Sequence, residues 1–209
     1  MDAAREWFDE NRKRYEAVYL QPAKDFVSAM AEPLETISPT VQADPAVNKS
    51  IFRVNRDTRF SKDKTPYKTN TGMQFRHVMA KDVHSPGYYV HLQPRECFVG
   101  VGLWRPETKV AYEIRQAIAD DPTRWKRATR SKRFTEVLEI GGDSLKRPPK
   151  GFDPEHPLID DLKRKDFIAS TKITQKMVTS EHFMEDLADI FKRATPYMRF
   201  LCEAVGVKF

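Results

Sequence analysis

Arg53, Arg56 and Arg59 recur at spacing three within RVNRDTRFSKDKTPYKTN (residues 53–70), with Asp57 between the last two and Asp63, Lys64, Tyr67 and Lys68 after them. A guanidinium grips the planar edge of a phosphate or carboxylate through paired N–H donors. Three arginines at this spacing converge where the backbone curls through a turn; along a strict strand, Arg53, Asn55, Asp57 and Arg59 would share one face. Asp57 then acts as an internal counter-ion that fixes guanidinium orientation, Lys64 adds a mobile point charge and Tyr67 a hydroxyl. The expectation is a pocket for an anionic, phosphate-bearing ligand built from Arg53, Arg56, Asp57, Arg59, Asp63, Lys64, Tyr67 and Lys68, with His91 and Trp104 as candidate neighbours. In such a pocket, losing Asp57 should harm folding more than losing Arg59, because breaking a buried ion pair costs ~3–5 kcal/mol. A structural reading competes: the same side chains can tie down a long connection by bonding its backbone carbonyls and amides.

The distribution of charge favours an anion-seeking face. Net charge is +6, but from Lys49 to Lys68 there are seven basic residues against two acids, and from Arg124 to Arg133 six basic residues and no acid. The rest of the chain is therefore net acidic. Joined into one track, with Trp125 or Tyr67 for stacking, the two segments would make a nucleic-acid-binding module, the alternative to a phosphorylated small molecule or nucleotide. A scaffold without any ligand is the third class, and a solvated helix face is the plain reading of 124–133.

Other chemistries find less support. Asp57, Asp63, His77 and His91 are available ligands, yet no HExxH, paired-cysteine or EF-hand spacing occurs, and no metal site is assigned. Cys97 and Cys202 fall in apolar positions where cysteine behaves as a small hydrophobe, and there is no G-x-S-x-G elbow. GVGLW lacks a third glycine, and Gly100 and Gly102 are read as admitting a neighbouring aromatic ring or backbone. Neither a reaction nor a cofactor follows from these residues.

The elements that must position the motif are helices around a block of strands. Trp7, Phe8, Asn11, Tyr15, Val18 and Tyr19 form a helical stripe ending before Gln21-Pro22, and a second helix from Pro22 is kinked or broken at Pro33. YYVHLQPRECFVGVGLW alternates as a hairpin turning at Pro94-Arg95, which opposes Val90 to Val99 and Tyr89 to Gly100. Further strands are expected at Ser50–Asn55, Gly72–Met79 and Phe167–Ile173, and helices from Pro106, from Asp121-Pro122, and from a Ser180 cap through Leu201 with a bend at Pro196. The sum is a single α+β domain over 1–209: an antiparallel sheet (strands about 50–104 and 166–173) packed by N-terminal, middle and C-terminal helices. With two cysteines, no signal-peptide pattern and no apolar run near the ~20 residues a membrane span needs, a reduced cytoplasmic protein without a membrane segment is expected.

RVNRDTRFSKDKTPYK fits R-x-x-R-D-x-R-F-x-x-D-K-x-x-Y at every fixed position, and GYYVHLQP, FVGVGLW and LKRPPKGFDPEHP are similar to later segments of the same family. The chain resembles the bacterial and fungal domain of unknown function 2461 family over nearly its whole length. The resemblance implies no activity. It does imply a further short apolar segment ahead of REWFDENRKRY, so a first packing element is expected to be missing or truncated here.

Overall fold

Strand pairing follows the apolar alternation of the sequence. The computed structural model describes residues 2–79 and 85–209, and its strands are β1 (Val41–Gln42), β2 (Thr71–His77), β3 (Gly87–Leu92), β4 (Cys97–Leu103), β5 (Glu139–Gly141) and β6 (Phe167–Ile173). They form one antiparallel sheet in the order β1-β2-β3-β4-β6-β5. The helices are α1 (Asp2–Glu10), α2 (Arg12–Tyr15), α3 (Gln21–Ala29), α4 (Ala31–Ile37), α5 (Thr108–Asp120), α6 (Pro122–Arg130), α7 (Lys132–Thr135), α8 (Ile159–Leu162), α9 (Gln175–Val178), α10 (Phe183–Arg193) and α11 (Thr195–Ala204). A π-helical turn, Glu16–Leu20, joins α2 to α3. The architecture is the expected α+β domain.

In the β3–β4 hairpin, Val90 opposes Val99 and Tyr88 opposes Val101, all essentially without exposure, while Tyr89 opposes Gly100 on the other face. Its turn is tight: the Glu96 amide donates to the Gln93 carbonyl at 3.0 Å, with Arg95 at φ 70°. The buried face carries Met73, Phe75, Tyr88, Val90, Val99, Val101, Phe167 and Ala169. The ring of Phe191 on α10 lies 4.4 Å from Tyr88 and 6.4 Å from Phe75. Each such side chain removed from water contributes ~1.5–3 kcal/mol, which anchors the helices to the sheet.

Local signals explain most helix boundaries. Asp121 caps α6 by accepting from the Arg124 amide, Pro122 occupies its first turn, and Trp125, Ala128 and Thr129 recur on its buried face. Pro22 sits in the first turn of α3, yet the π-helical turn carries the backbone through without the expected stop. The next break falls at Met30, three residues before Pro33, which is accommodated in the first turn of α4. The C-terminal helix is two helices meeting at Ala194, with Pro196 starting α11, and His182 rather than Ser180 holds the cap position of α10.

Three strand assignments change, the first being β1, which falls outside the expected strands. Ser50–Asn55 is not a regular strand: Ile51 bridges Met73 and Asn55 bridges Tyr67, and the segment continues the β1 edge alongside β2. β5 had no sequence signal, since its three residues pair only with β6. In the first stripe, Trp7 and Val18 are exposed, 57% and 67%, and Phe8, Tyr15 and Tyr19 face the protein instead.

Candidate functional site

The arginine motif forms an arm. Its base is a short antiparallel ladder in which the Arg56 amide donates to the Pro66 carbonyl and the Lys68 amide to the Val54 carbonyl, both at 2.8 Å. Beyond it, residues 57–65 carry no regular structure, and Phe60 stands 96% exposed at the far end. The arm is anchored from the N-terminal helices: the Tyr67 hydroxyl donates to the Ala4 carbonyl at 3.0 Å, and aromatic rings follow one another from Tyr67 to Phe8, Tyr15 and Tyr19 at centroid spacings of 5.1 Å.

Two of the three arginines take separate aspartates. Arg59 pairs with Asp57 through two N–H donors at 3.0 and 2.7 Å, and Arg56 pairs with Asp63. The Arg59 side chain and backbone amide hold Asp57 down to about 2, while the Thr65 hydroxyl and then Arg56 hold Asp63 well below the usual carboxylate range. The Asp57–Arg59 pair is exposed, so the expectation that Asp57 is a buried keystone of folding is corrected; water already screens both charges. Lys64 donates to the Thr58 carbonyl at 2.8 Å, and Lys68 to the Arg53 carbonyl at 2.8 Å. Lys64, Tyr67, Asp57 and Asp63 therefore all bond backbone within or next to the arm, the role the structural reading assigns them.

Arg53 and Lys68 are not members of these pairs, although the Arg53 charge is felt at Asp57. The Lys68 ammonium lies 5.4 Å over the Phe52 ring. Partial burial, and then the neighbouring Arg53 guanidinium, lower its pKa. Among the described residues no carboxylate lies within ion-pair distance of either cation.

The sheet face beside Phe52 can be read row by row from the strand register. One row runs Gly72, His91, Phe98, Lys172 across β2, β3, β4 and β6, and the next runs Gln74, Tyr89, Gly100, Ser170 and on to Glu139 of β5. Phe52 packs over Gly72, where an added Cβ would fall 2.8 Å from its ring and from the Tyr89 hydroxyl. His91 stacks on Phe98 at 4.6 Å and 14°. Tyr89 Oη donates to His91 Nδ1 at 3.0 Å, which leaves His91 Nε2 to donate to Gln93 Oε1 at 3.3 Å. Burial pushes the Tyr89 hydroxyl up to about 12. His91 lies beside Asn70, next to the arm base, whereas Trp104 follows the last residue of β4, about 20 Å along the strand from Phe98 at ~3.3 Å per residue. Phe52, Asn70, Gln93 and Tyr19 were missed in the sequence; the only available signal was their nearness to the motif and to the hairpin alternation.

The second basic segment lies elsewhere. Arg130 lines a cleft of about 370 Å³ with Phe134, Ile140, Asp161 and Arg164, next to β5. β2, from which the arm departs, is four strand positions away, ~19 Å at ~4.8 Å each. Arg124 pairs with Glu203, Arg130 with Asp161 at 3.0 Å and Lys132 with Glu136 at 3.7 Å, as on a solvated helix face. Trp125 is fully buried against Tyr197 and Phe200, so its expected stacking role is withdrawn. A second cleft of about 480 Å³, lined by Leu92, Gln93, Cys97, Lys176 and Thr179, also lacks motif residues.

His77 is a structural clamp, its Nδ1 accepting from the Met79 amide and its Nε2 donating to the Lys208 carbonyl at 2.6 Å. Cys202 is buried with its thiol pushed up to about 12 by desolvation, which suits packing and not nucleophilic attack. Among the described residues no three of His, Cys, Asp or Glu cluster to hold a metal, and no helix is long and apolar enough to cross a membrane.

No curated protein and no solved structure matches the chain. A family model does, over residues 2–200, a span that contains the arm, the sheet face and both clefts. The chain therefore belongs to the family described as conserved hypothetical protein (DUF2461).

Proposed function

We propose that the protein binds a phosphate-bearing small molecule at the base of the arm, with Arg53 and Lys68 taking the phosphate. One observation carries this reading: the Lys68 ammonium is partly desolvated, bonds the Arg53 carbonyl and feels the like charge of the Arg53 guanidinium, and among the described residues no carboxylate lies within ion-pair distance of either cation. Asp57 is near enough to feel Arg53, but both of its oxygens are taken by Arg59. Like charges at short range repel, and a bound anion turns that cost into a site. The remaining arginines hold the arm in shape. A reduced, cytoplasmic setting is part of this reading, and the free Cys97 and Cys202 thiols support it.

The test is thermal. Pyrophosphate at a hundredfold excess over its dissociation constant adds ~2.7 kcal/mol to the folded state, so the parent protein should melt higher in its presence. The double variant Arg53→Ala/Lys68→Ala should lose that shift, and Lys126→Ala, on α6, should keep it. An equal shift in the double variant would remove the reading.

A single-stranded nucleic acid is the second reading, favoured by Phe60, 96% exposed with the Arg59 guanidinium 5.8 Å from its ring. On that reading Phe60→Ala weakens an oligonucleotide and leaves pyrophosphate unchanged, and affinity falls linearly with log salt.

A further inference from the structure

Gly72, Gly87, Gly100 and Gly102 share one face of the three central strands. Packing explains three of them. A Cβ at Gly72 would fall 2.8 Å from Phe52 and Tyr89, one at Gly87 would fall 2.7 Å from the Phe75 carbonyl oxygen, and one at Gly102, where φ is +115°, would fall 2.1 Å from the Phe167 carbonyl oxygen. At Gly100 nothing lies nearer than 3.8 Å, and its φ is outside the left-handed region. Glycine weakens a strand interior, so a glycine that neither backbone nor packing requires marks a place where something else approaches the sheet.

The surroundings say what. Gly100 sits between Tyr89 on β3 and Ser170 on β6, with Phe98 two residues before it on the same face. All four are half-buried, and the Ser170 hydroxyl has no hydrogen-bond partner among the described residues. The strip is therefore flat, walled by one aromatic ring, bordered by another, and supplied with a free hydroxyl at its edge. Lys172, beside Phe98, adds a positive charge, and Phe52 and Lys68 lie at the β2 end of the adjoining row. From Gly100 to Gly72 is two strand spacings and one row, about 12 Å from ~4.8 Å per strand and ~3.3 Å per residue. A nucleoside diphosphate spans that length with its base at one end and its phosphates at the other.

We propose that the strip over Gly100, between Tyr89 and Ser170, seats the base of a nucleoside di- or triphosphate whose phosphates reach Arg53 and Lys68. The inference rests on the anion reading above and names the ligand class for it.

Calorimetry with pyrophosphate, ADP and UDP on the parent and on Gly100→Val separates the two. A valine suits a strand and its Cβ would meet nothing nearer than 3.8 Å, so the fold should survive, as circular dichroism would show. Base stacking is worth ~1–3 kcal/mol, so at least one of ADP and UDP should bind the parent about tenfold more tightly than pyrophosphate. Gly100→Val should bring that nucleotide down to the pyrophosphate level and leave pyrophosphate itself unchanged. If valine unfolds the chain, Gly100→Ala, whose methyl stands at ordinary contact distance, should give a partial loss of the same sign. Pyrophosphate bound, with neither nucleotide tighter or with the nucleotide indifferent to Gly100 substitution, overturns the base seat alone. No pyrophosphate binding overturns the anion reading and the base seat with it.

Discussion

Gly100 and Gly102 lie two residues apart on the same face of β4, and adding one methyl group to each should move stability in opposite directions. At Gly102 an alanine must adopt φ +115°, a conformation that costs ~1–3 kcal/mol for a residue with a side chain. Its Cβ would also lie 2.1 Å from the Phe167 carbonyl oxygen, so β6 must retreat and lose ladder hydrogen bonds worth ~0.5–1.5 kcal/mol each. Together these give a loss of about 3 kcal/mol or more. At Gly100 there is neither strain nor clash, and relief of glycine's backbone entropy contributes ~0.5–1 kcal/mol in favour of folding. In urea, with a slope near ~2.5 kcal/mol/M for a chain of this size, Gly102→Ala should lower the midpoint by about 1 M or more and Gly100→Ala should raise it by ~0.2–0.4 M. A Gly102→Ala midpoint close to that of the parent, or a Gly100→Ala midpoint well below it, would refute the reasoning that separates a glycine required by the fold from one that is not.

Arg95, at φ 70° in the hairpin turn, should be replaced by glycine with a gain of about 0.5–1 kcal/mol, read as a higher urea midpoint, because the left-handed region costs an ordinary residue ~1–2 kcal/mol. Asp166→Ala should destabilise by roughly 2–5 kcal/mol in the same assay, since its buried carboxylate accepts from the Arg105 and Asp143 amides at 2.8 Å each and both would lose their partner. Asp57, depressed to about 2 in the folded protein, contributes stability that is present above its unfolded value near ~4 and lost as pH falls through about 2. Asp57→Asn should therefore converge with the parent below those limits and melt slightly below it at neutral pH, as should Arg59→Ala, the difference being small because the pair is exposed.

The hairpin was legible because two alternations had to match, and only one register gives every apolar residue an apolar partner. Phe167–Ile173 was equally clear for its β-branched and apolar alternation. β5 was not, since Glu139, Ile140 and Gly141 acquire strand character only from the partner they meet. Trp125 was misread from its basic neighbours, although Ala128 and Thr129 at i+3 and i+4 already marked its side of α6 as the apolar one. At the candidate site, the sequence named Arg53, Lys68 and His91 but placed them in one pocket with Arg56 and Arg59. Spacing alone does not reveal that each of those arginines meets its own aspartate at the surface, because side-chain pairing depends on how the 57–65 segment turns. The flat strip over Gly100 was hidden for a related reason: a glycine in a strand reads the same whether a neighbouring backbone crowds it or its neighbours stand at ordinary contact distance.

The central claim, that Arg53 and Lys68 receive the phosphate of a small molecule, is tested most directly by mapping backbone amide resonances while ADP is titrated into the protein. The shifts should gather at 52–55, at 67–70 and on β3 and β4 around Tyr89 and Gly100, and vanish in Arg53→Ala/Lys68→Ala. Shifts confined to the helical segment 124–133 and its cleft, or a pattern unchanged in the double variant, would contradict it.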